Sequence, residues 1–104
     1  MHKNNRGREM KYGLSKEVYE KIKKIIESNK NCKILLFGSR ARGDYKATSD
    51  IDLAILNEVS RDQQFKIMNE IDLMDIAYKV DIVFVDSNTK AELIESIKRD
   101  GVEF

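Results

Sequence analysis

A hydrophobic run, Ile34-Leu35-Leu36-Phe37, stops abruptly at Gly38-Ser39, and two carboxylates one residue apart, Asp50 and Asp52, head the next hydrophobic run. Gly-Ser after a strand offers bare backbone N–H groups and a hydroxyl to a phosphate. Glycine lets the chain approach closely, and a following helical turn points its free N–H groups outward. An Asp-x-Asp pair on a strand projects both carboxylates to one side, because strand side chains alternate with period two. A phosphate cradle beside a carboxylate pair is the composition of a site for a metal-bound nucleotide.

Asp50 taken alone reads as a turn or cap residue after Ser49, and Asp-x-Asp is a common chance pattern. The energetics favour a functional reading. Two carboxylates about 6 Å apart at an effective dielectric of about 20 repel by roughly 3 kcal/mol. That arrangement gains nothing structurally unless a cation or hydrogen-bond donors balance it. A third acid, Asp81, interrupts the run Val80 to Val85 where an apolar residue is expected, with Val83 and Val85 on its side of the strand. An unpaired charge there would border the core. Three acids on adjacent strands can supply oxygen ligands to Mg²⁺, which prefers a few carboxylates plus phosphate oxygens over a closed protein cage.

The elements that must position these groups follow from the periodicities. Residues 1–13 are polar, with Lys3, Arg6, Arg8 and Lys11, and read as a mobile basic arm; residues 14–104 form the domain. Ser15 caps a helix, with Leu14 and Tyr19 as a hydrophobic staple. Val18, Ile22 and Ile25 recur at helical spacing until Asn29-Lys30-Asn31 closes it. Lys33 to Phe37 is a buried strand and Asp50 to Leu56 a second. Ser60 and Gln63 suggest a capping box for a helix through Ile67, Ile71 and Met74, and Val80 to Val85 is a third strand. Thr89 and Glu92 suggest another box, opening a helix through Leu93 and Ile97 that stops at Gly101. The helix between the second and third strands makes them parallel neighbours by a crossover, while the first two can pair either way. The expected fold class is α+β: a small mixed β-sheet with helices packed on one face, the other face partly open around Asp50 and Asp52.

Composition bounds the function. A 104-residue chain is one small domain, burying roughly 60–65% of the surface it would expose unfolded. A net charge of +1 argues against a broad electrostatic grip on nucleic acid. No run approaches a membrane span of about 18 apolar residues, and the N-terminus lacks a signal-peptide core. The single Cys32 cannot form an internal disulfide, so the cytoplasm is the expected compartment.

The segment GSRARGDYKATSDIDLAIL resembles the signature of the DNA polymerase beta-like nucleotidyltransferases. In these, Gly-Ser is followed after a turn by Asp-x-Asp and later by a third acid on another strand. Within that superfamily the chain looks like a minimal nucleotidyltransferase (MNT) domain, a class commonly paired with a HEPN-domain protein as antitoxin and toxin. The resemblance implies that Gly38 and Ser39 hold the β- and γ-phosphates of ATP. It makes Asp50 and Asp52 metal ligands, and Asp81 the third carboxylate that completes the site for Mg²⁺, taken as two ions, and accepts a proton from the acceptor. Arg42, one helical step past Ser39, is the candidate phosphate contact, with a salt bridge to Asp44 or another surface acid as its alternative. Arg40 is divided between partner contact and simple solvation.

The implied reaction is transfer of AMP from ATP to a hydroxyl, tyrosine first, on a cognate HEPN toxin. Two alternatives stay open: an antitoxin that masks its partner sterically, and a free-standing transferase acting on a small molecule or an RNA end. Homo-oligomerisation is also open. Apolar strips around Ile67, Met74 and Tyr78, or around Leu93 and Ile97, are the expected docking surfaces. Cys32 reads as a small buried hydrophobe, and His2, with no second histidine, as no ligand.

Overall fold

A computed structural model of the chain describes residues 11–104; most of the basic arm, with His2, Lys3, Arg6 and Arg8, lies outside the described residues. In chain order the elements are α1 (Lys16–Ser28), β1 (Ile34–Phe37), α2 (Ser39–Arg42), β2 (Ile51–Ile55), α3 (Arg61–Leu73), β3 (Val80–Phe84), α4 (Ala91–Asp100) and β4 (Val102–Glu103). The sheet order is β3-β2-β1-β4. β1 is antiparallel to both β2 and β4, and β2 and β3 are parallel, joined by α3 as the crossover.

The first helix starts where its cap chemistry places it: the Ser15 hydroxyl accepts from the Val18 N–H, and Val18, Ile22 and Ile25 turn inward. In α3 the Ser60 hydroxyl accepts from the Gln63 N–H. The Gln63 side chain does not reach back, however; it donates to Asn29 and Asn31, tying α3 to the end of α1. The second expected capping box is absent. Lys90 is the N-cap of α4 and contributes no side-chain bond. The Thr89 hydroxyl accepts instead from the Asp86 N–H, because a local side-chain turn competes with the helix for the same groups.

Strand alternation divides the core between two faces. Ile34, Leu36, Ile51, Leu53 and Ile55 pack with Val18 and Ile22 of α1 and Ile67 of α3. Phe37 and Ala54 face the other way and pack with Ile97 of α4, joined by Leu35, Val83 and Leu93. Helices on one face thus describe α1 and α3, while α4 departs from that expectation and covers part of the opposite face. The reason lies in β1, which is apolar at all four positions and therefore requires cover on both sides.

Ile67 and Ile97 are buried, so the strips centred on them form core. Among the described residues, the large apolar side chains left exposed are Phe65, Met68 and Leu73 on the outer side of α3, Leu73 at 75%. Residues 11–13, composed like the arm, are packed. Lys11 bridges to Leu14, and the rings of Tyr12 and Tyr19 lie 5.6 and 4.7 Å from that of Phe104. Cys32 is buried as expected. Among the described residues no helix is long and apolar enough to cross a membrane.

Candidate active site

β1 runs toward Gly38, and β2 and β3 run away from the same end of the sheet, so the three strands deliver their polar residues to one place. Asp52 and Asp81 are register partners on the parallel strands. Asp50 lies just before β2, near enough that its charge is felt at Asp52. Phe37 is opposite Asp52 on β1, which puts Gly38 against the acids. Gly38 has φ +80°, and a Cβ at this position would collide with the Asp52 carboxylate. Only glycine permits both the backbone conformation and the approach. The chain then enters α2, whose first bonds run from Arg42 N–H to Gly38 O and from Gly43 N–H to Ser39 O. The N–H groups of the first turn, beginning with Ser39, are not consumed by the helix.

Burial raises the pKa of Asp52; the charges of Asp81 and Asp50 raise it further, and Arg42 partly offsets them. Among the described residues no cation pairs with Asp50 or Asp52, whereas Lys79 Nζ lies 3.8 Å from Asp81. A half-buried carboxylate repelled by two neighbours beside a cradle a Cβ would fill is a donor set suited to a hard, oxygen-preferring cation such as Mg²⁺. Among the described residues no three His, Cys, Asp or Glu side chains stand close enough together to hold a metal ion by themselves. Asp50, Asp52 and Asp81 are each partly exposed, and α4 covers only part of the sheet face that carries Asp52. A concave region of about 640 Å³ lies elsewhere, lined by Lys23, Lys30, Cys32 and Phe104 around the far end of β1.

The two arginines of α2 separate sharply. Arg42 pairs with Asp44 at 3.2 Å and with Asp100 at 3.0 Å. Those acids raise its pKa, the Asp44 hydrogen bond most. It stands at the rim of the cradle, held by the last residue of α4. Asp100, whose side chain is 5% exposed, is held below the usual carboxylate range by the Arg99 hydrogen bond, with Arg42 adding to it against the effect of burial.

Arg40 is neither solvated nor a surface contact. It is 1% exposed and bonds to backbone carbonyls of Tyr12, Ala47 and Ser49. Both expectations for it are therefore overturned. Residues two apart on a helix point about 200° apart, so one of the two arginines had to face inward. That spacing was the available signal. Asp100 carried none, since its partner is distant in sequence.

Residues 20–104 match the family described as Polymerase beta, Nucleotidyltransferase. A Methanocaldococcus jannaschii protein named "Putative protein adenylyltransferase MJ1215" is 45% identical over 51 residues, covering 48% of this chain and 59% of that protein. The match thus spans less than two thirds of that relative's length. A crystal structure of a toxin–antitoxin with AMP-PNP superposes with a TM-score of 0.60 at 24% identity, covering 81% of this chain and 69% of that one; at that identity the likeness concerns the fold. Because the family match runs from within α1 through every later element, the chain belongs to the polymerase beta nucleotidyltransferase family.

Proposed function

We propose that the protein transfers AMP from ATP to a hydroxyl, tyrosine first, of a HEPN-domain toxin, and so acts as its antitoxin. The observation that carries this reading is the contact of Gly38 with Asp52 and the pairing of Asp52 with Asp81, which join a phosphate cradle to a carboxylate cluster. The relative named as a protein adenylyltransferase and the toxin–antitoxin fold neighbour crystallised with AMP-PNP support the acceptor class. So does the open face, where a second protein has room to bring its own hydroxyl.

In this reading the N–H groups of α2 and the Ser39 hydroxyl hold the β- and γ-phosphates, and Gly38 allows them to approach. Arg42 exchanges part of its pairing with Asp44 for a phosphate oxygen. The acceptor oxygen attacks the α-phosphorus in line, its proton passes to Asp81, and the bond to pyrophosphate breaks. Asp50, Asp52 and Asp81 would hold Mg²⁺, which supplies charge neutralisation for the phosphates and leaving group.

The experiment mixes the protein with the product of an adjacent HEPN-encoding reading frame and ATP labelled at the α-phosphate. Label should appear on the toxin with wild type and vanish with Asp50→Ala and Asp52→Ala. Steric masking is the second reading, favoured by the exposed Phe65, Met68 and Leu73. It prevails if those variants neutralise the toxin as well as wild type does and no label transfers.

A further inference from the structure

We propose that Arg40 is a positioning residue for nucleotidyl transfer: a buried guanidinium that sets where Asp50 and Asp81 stand while touching neither nucleotide nor metal. Three chain segments converge on it. Its Nε and Nη2 donate to Ser49 O at 3.1 and 2.9 Å, and Nη2 also donates to Ala47 O at 3.2 Å. Its Nη1 donates to Tyr12 O at 3.0 Å. Its planar group lies 5.3 Å from the ring centre of Tyr45 and 4.7 Å from that of Tyr78. Gly13, at φ +73°, passes so close that a Cβ there would meet Tyr45 and the Arg40 guanidinium.

These contacts fall immediately upstream of the acids. Ser49 precedes Asp50, Tyr78 lies three residues before Asp81, and the two segments are joined by the Ile51 N–H to Lys79 O bond at 2.9 Å. One side chain thus fixes the entry of both β2 and β3. The segment from Gly43 to Asp50 has no helix or strand of its own, so its carbonyls need a donor from elsewhere. A rigid fork with donors in several directions and two faces for aromatic rings meets that need, whereas a lysine ammonium does not. Among the described residues no carboxylate pairs with Arg40. Its charge is balanced by carbonyl dipoles and ring faces, so the site end of the sheet gains a fixed cation without neutralising an acid that metal requires.

The inference rests on the reading of Asp50 and Asp81 as metal-site residues, and the test separates the two. Mn²⁺ binding to the full chain is measured by electron paramagnetic resonance, and ATP binding in EDTA by calorimetry. Arg40→Lys should weaken Mn²⁺ by about 10–100-fold, the range seen when groups orienting metal ligands are removed. ATP affinity in EDTA should change less than about twofold, because phosphate binding without metal rests on the cradle. Amide exchange over residues 46–51 should accelerate. Ile22→Ala, a core change on α1, should lower the melting temperature without moving Mn²⁺ affinity. Tyr78→Leu, which removes one ring face and leaves the hydrogen bonds, should weaken Mn²⁺ severalfold and serves if Arg40→Lys does not fold.

If Asp50→Asn weakens Mn²⁺ while Arg40→Lys and Tyr78→Leu leave it unchanged, the role given to Arg40 is overturned and the site reading stands. Equal weakening by Ile22→Ala makes Arg40 a matter of stability alone and also overturns it. If Asp50→Asn itself leaves Mn²⁺ binding untouched, the site reading falls and carries the inference with it.

Discussion

Replacing Asp52 by Asn should make the metal-free protein more stable while removing its chemistry. Asp52 and Asp81 face each other across adjacent strands, which places their charges about 6 Å apart given the strand spacing of about 4.8 Å. At an effective dielectric of about 20 the repulsion is roughly 3 kcal/mol. Asp81 is 47% exposed and lies 3.8 Å from Lys79, so water and that ammonium screen most of it. A net gain of about 1 kcal/mol remains after that discount, corresponding to a melting temperature higher by about 4–8 °C for a domain of this size. The pH dependence has a definite sign. The folded-state pKa of Asp52 lies above its ordinary 3.8, so below pH 3.8 both folded and unfolded wild type hold the proton and burial of Asp52 costs nothing. The wild type loses stability as pH rises through the folded value. The advantage of the Asn variant should therefore appear across that window and persist at neutral pH. Adding Mg²⁺ should raise the wild-type melting temperature and leave the variant unmoved. Thermal unfolding in EDTA at several pH values is the assay. A variant melting at or below wild type in EDTA at pH 7 would refute the argument that Asp52 is held against its own electrostatic preference.

Gly38→Ala should lose about 1–3 kcal/mol of stability from backbone strain at positive φ. It should also lose both Mn²⁺ and ATP affinity, since its methyl group displaces the Asp52 carboxylate; unchanged binding of either by titration would contradict the cradle. Asn29→Ala should cost about 1–3 kcal/mol in urea unfolding. Its buried amide donates to Ile25 O at 2.7 Å and Glu70 Oε1 at 2.9 Å, and truncation strands those partners between α1 and α3. Asp100→Asn should lower the melting temperature at neutral pH. That difference should persist as pH falls to about 4 and close only below it, because the depressed pKa of Asp100 keeps its ion pairs intact above that range.

Most of the fold was legible because the elements carry their own signals. Ser15 and Ser60 cap the helices they were expected to cap, and the crossover makes β2 and β3 parallel. Alternation, the repulsion of paired carboxylates and the upstream Gly-Ser together drew attention to Asp50, Asp52 and Asp81; Asp52 and Asp81 stand as partners on β2 and β3, and Asp50 falls just before β2. What escaped depends on partners far apart in the chain. The position of α4 follows from a demand for cover made by β1, more than fifty residues earlier. β4 is only two residues long, too short to show alternation, and reads as a tail until its pairing with Leu35 and Leu36 is seen. Arg40 and Arg42 are the same residue type one position apart from equivalence, and only the fold decides which turns inward.

The direction of the strands divides the molecule into a working end and an indifferent one. With β1 entering the site and β2 and β3 leaving it, the connections at residues 29–33, 56–60 and 85–90 all gather at the opposite end of the sheet. There the first two are stitched together by Lys33 N–H to Asn57 Oδ1 at 2.8 Å and Asn57 Nδ2 to Asn31 O at 2.8 Å. None of those bonds reaches a carboxylate of the site. Substitutions, insertions or a reporter group placed near Asn88 are therefore separated from the chemistry by the full length of the strands, so this end can diverge or be labelled freely while Gly38, Asp50, Asp52 and Asp81 keep their geometry.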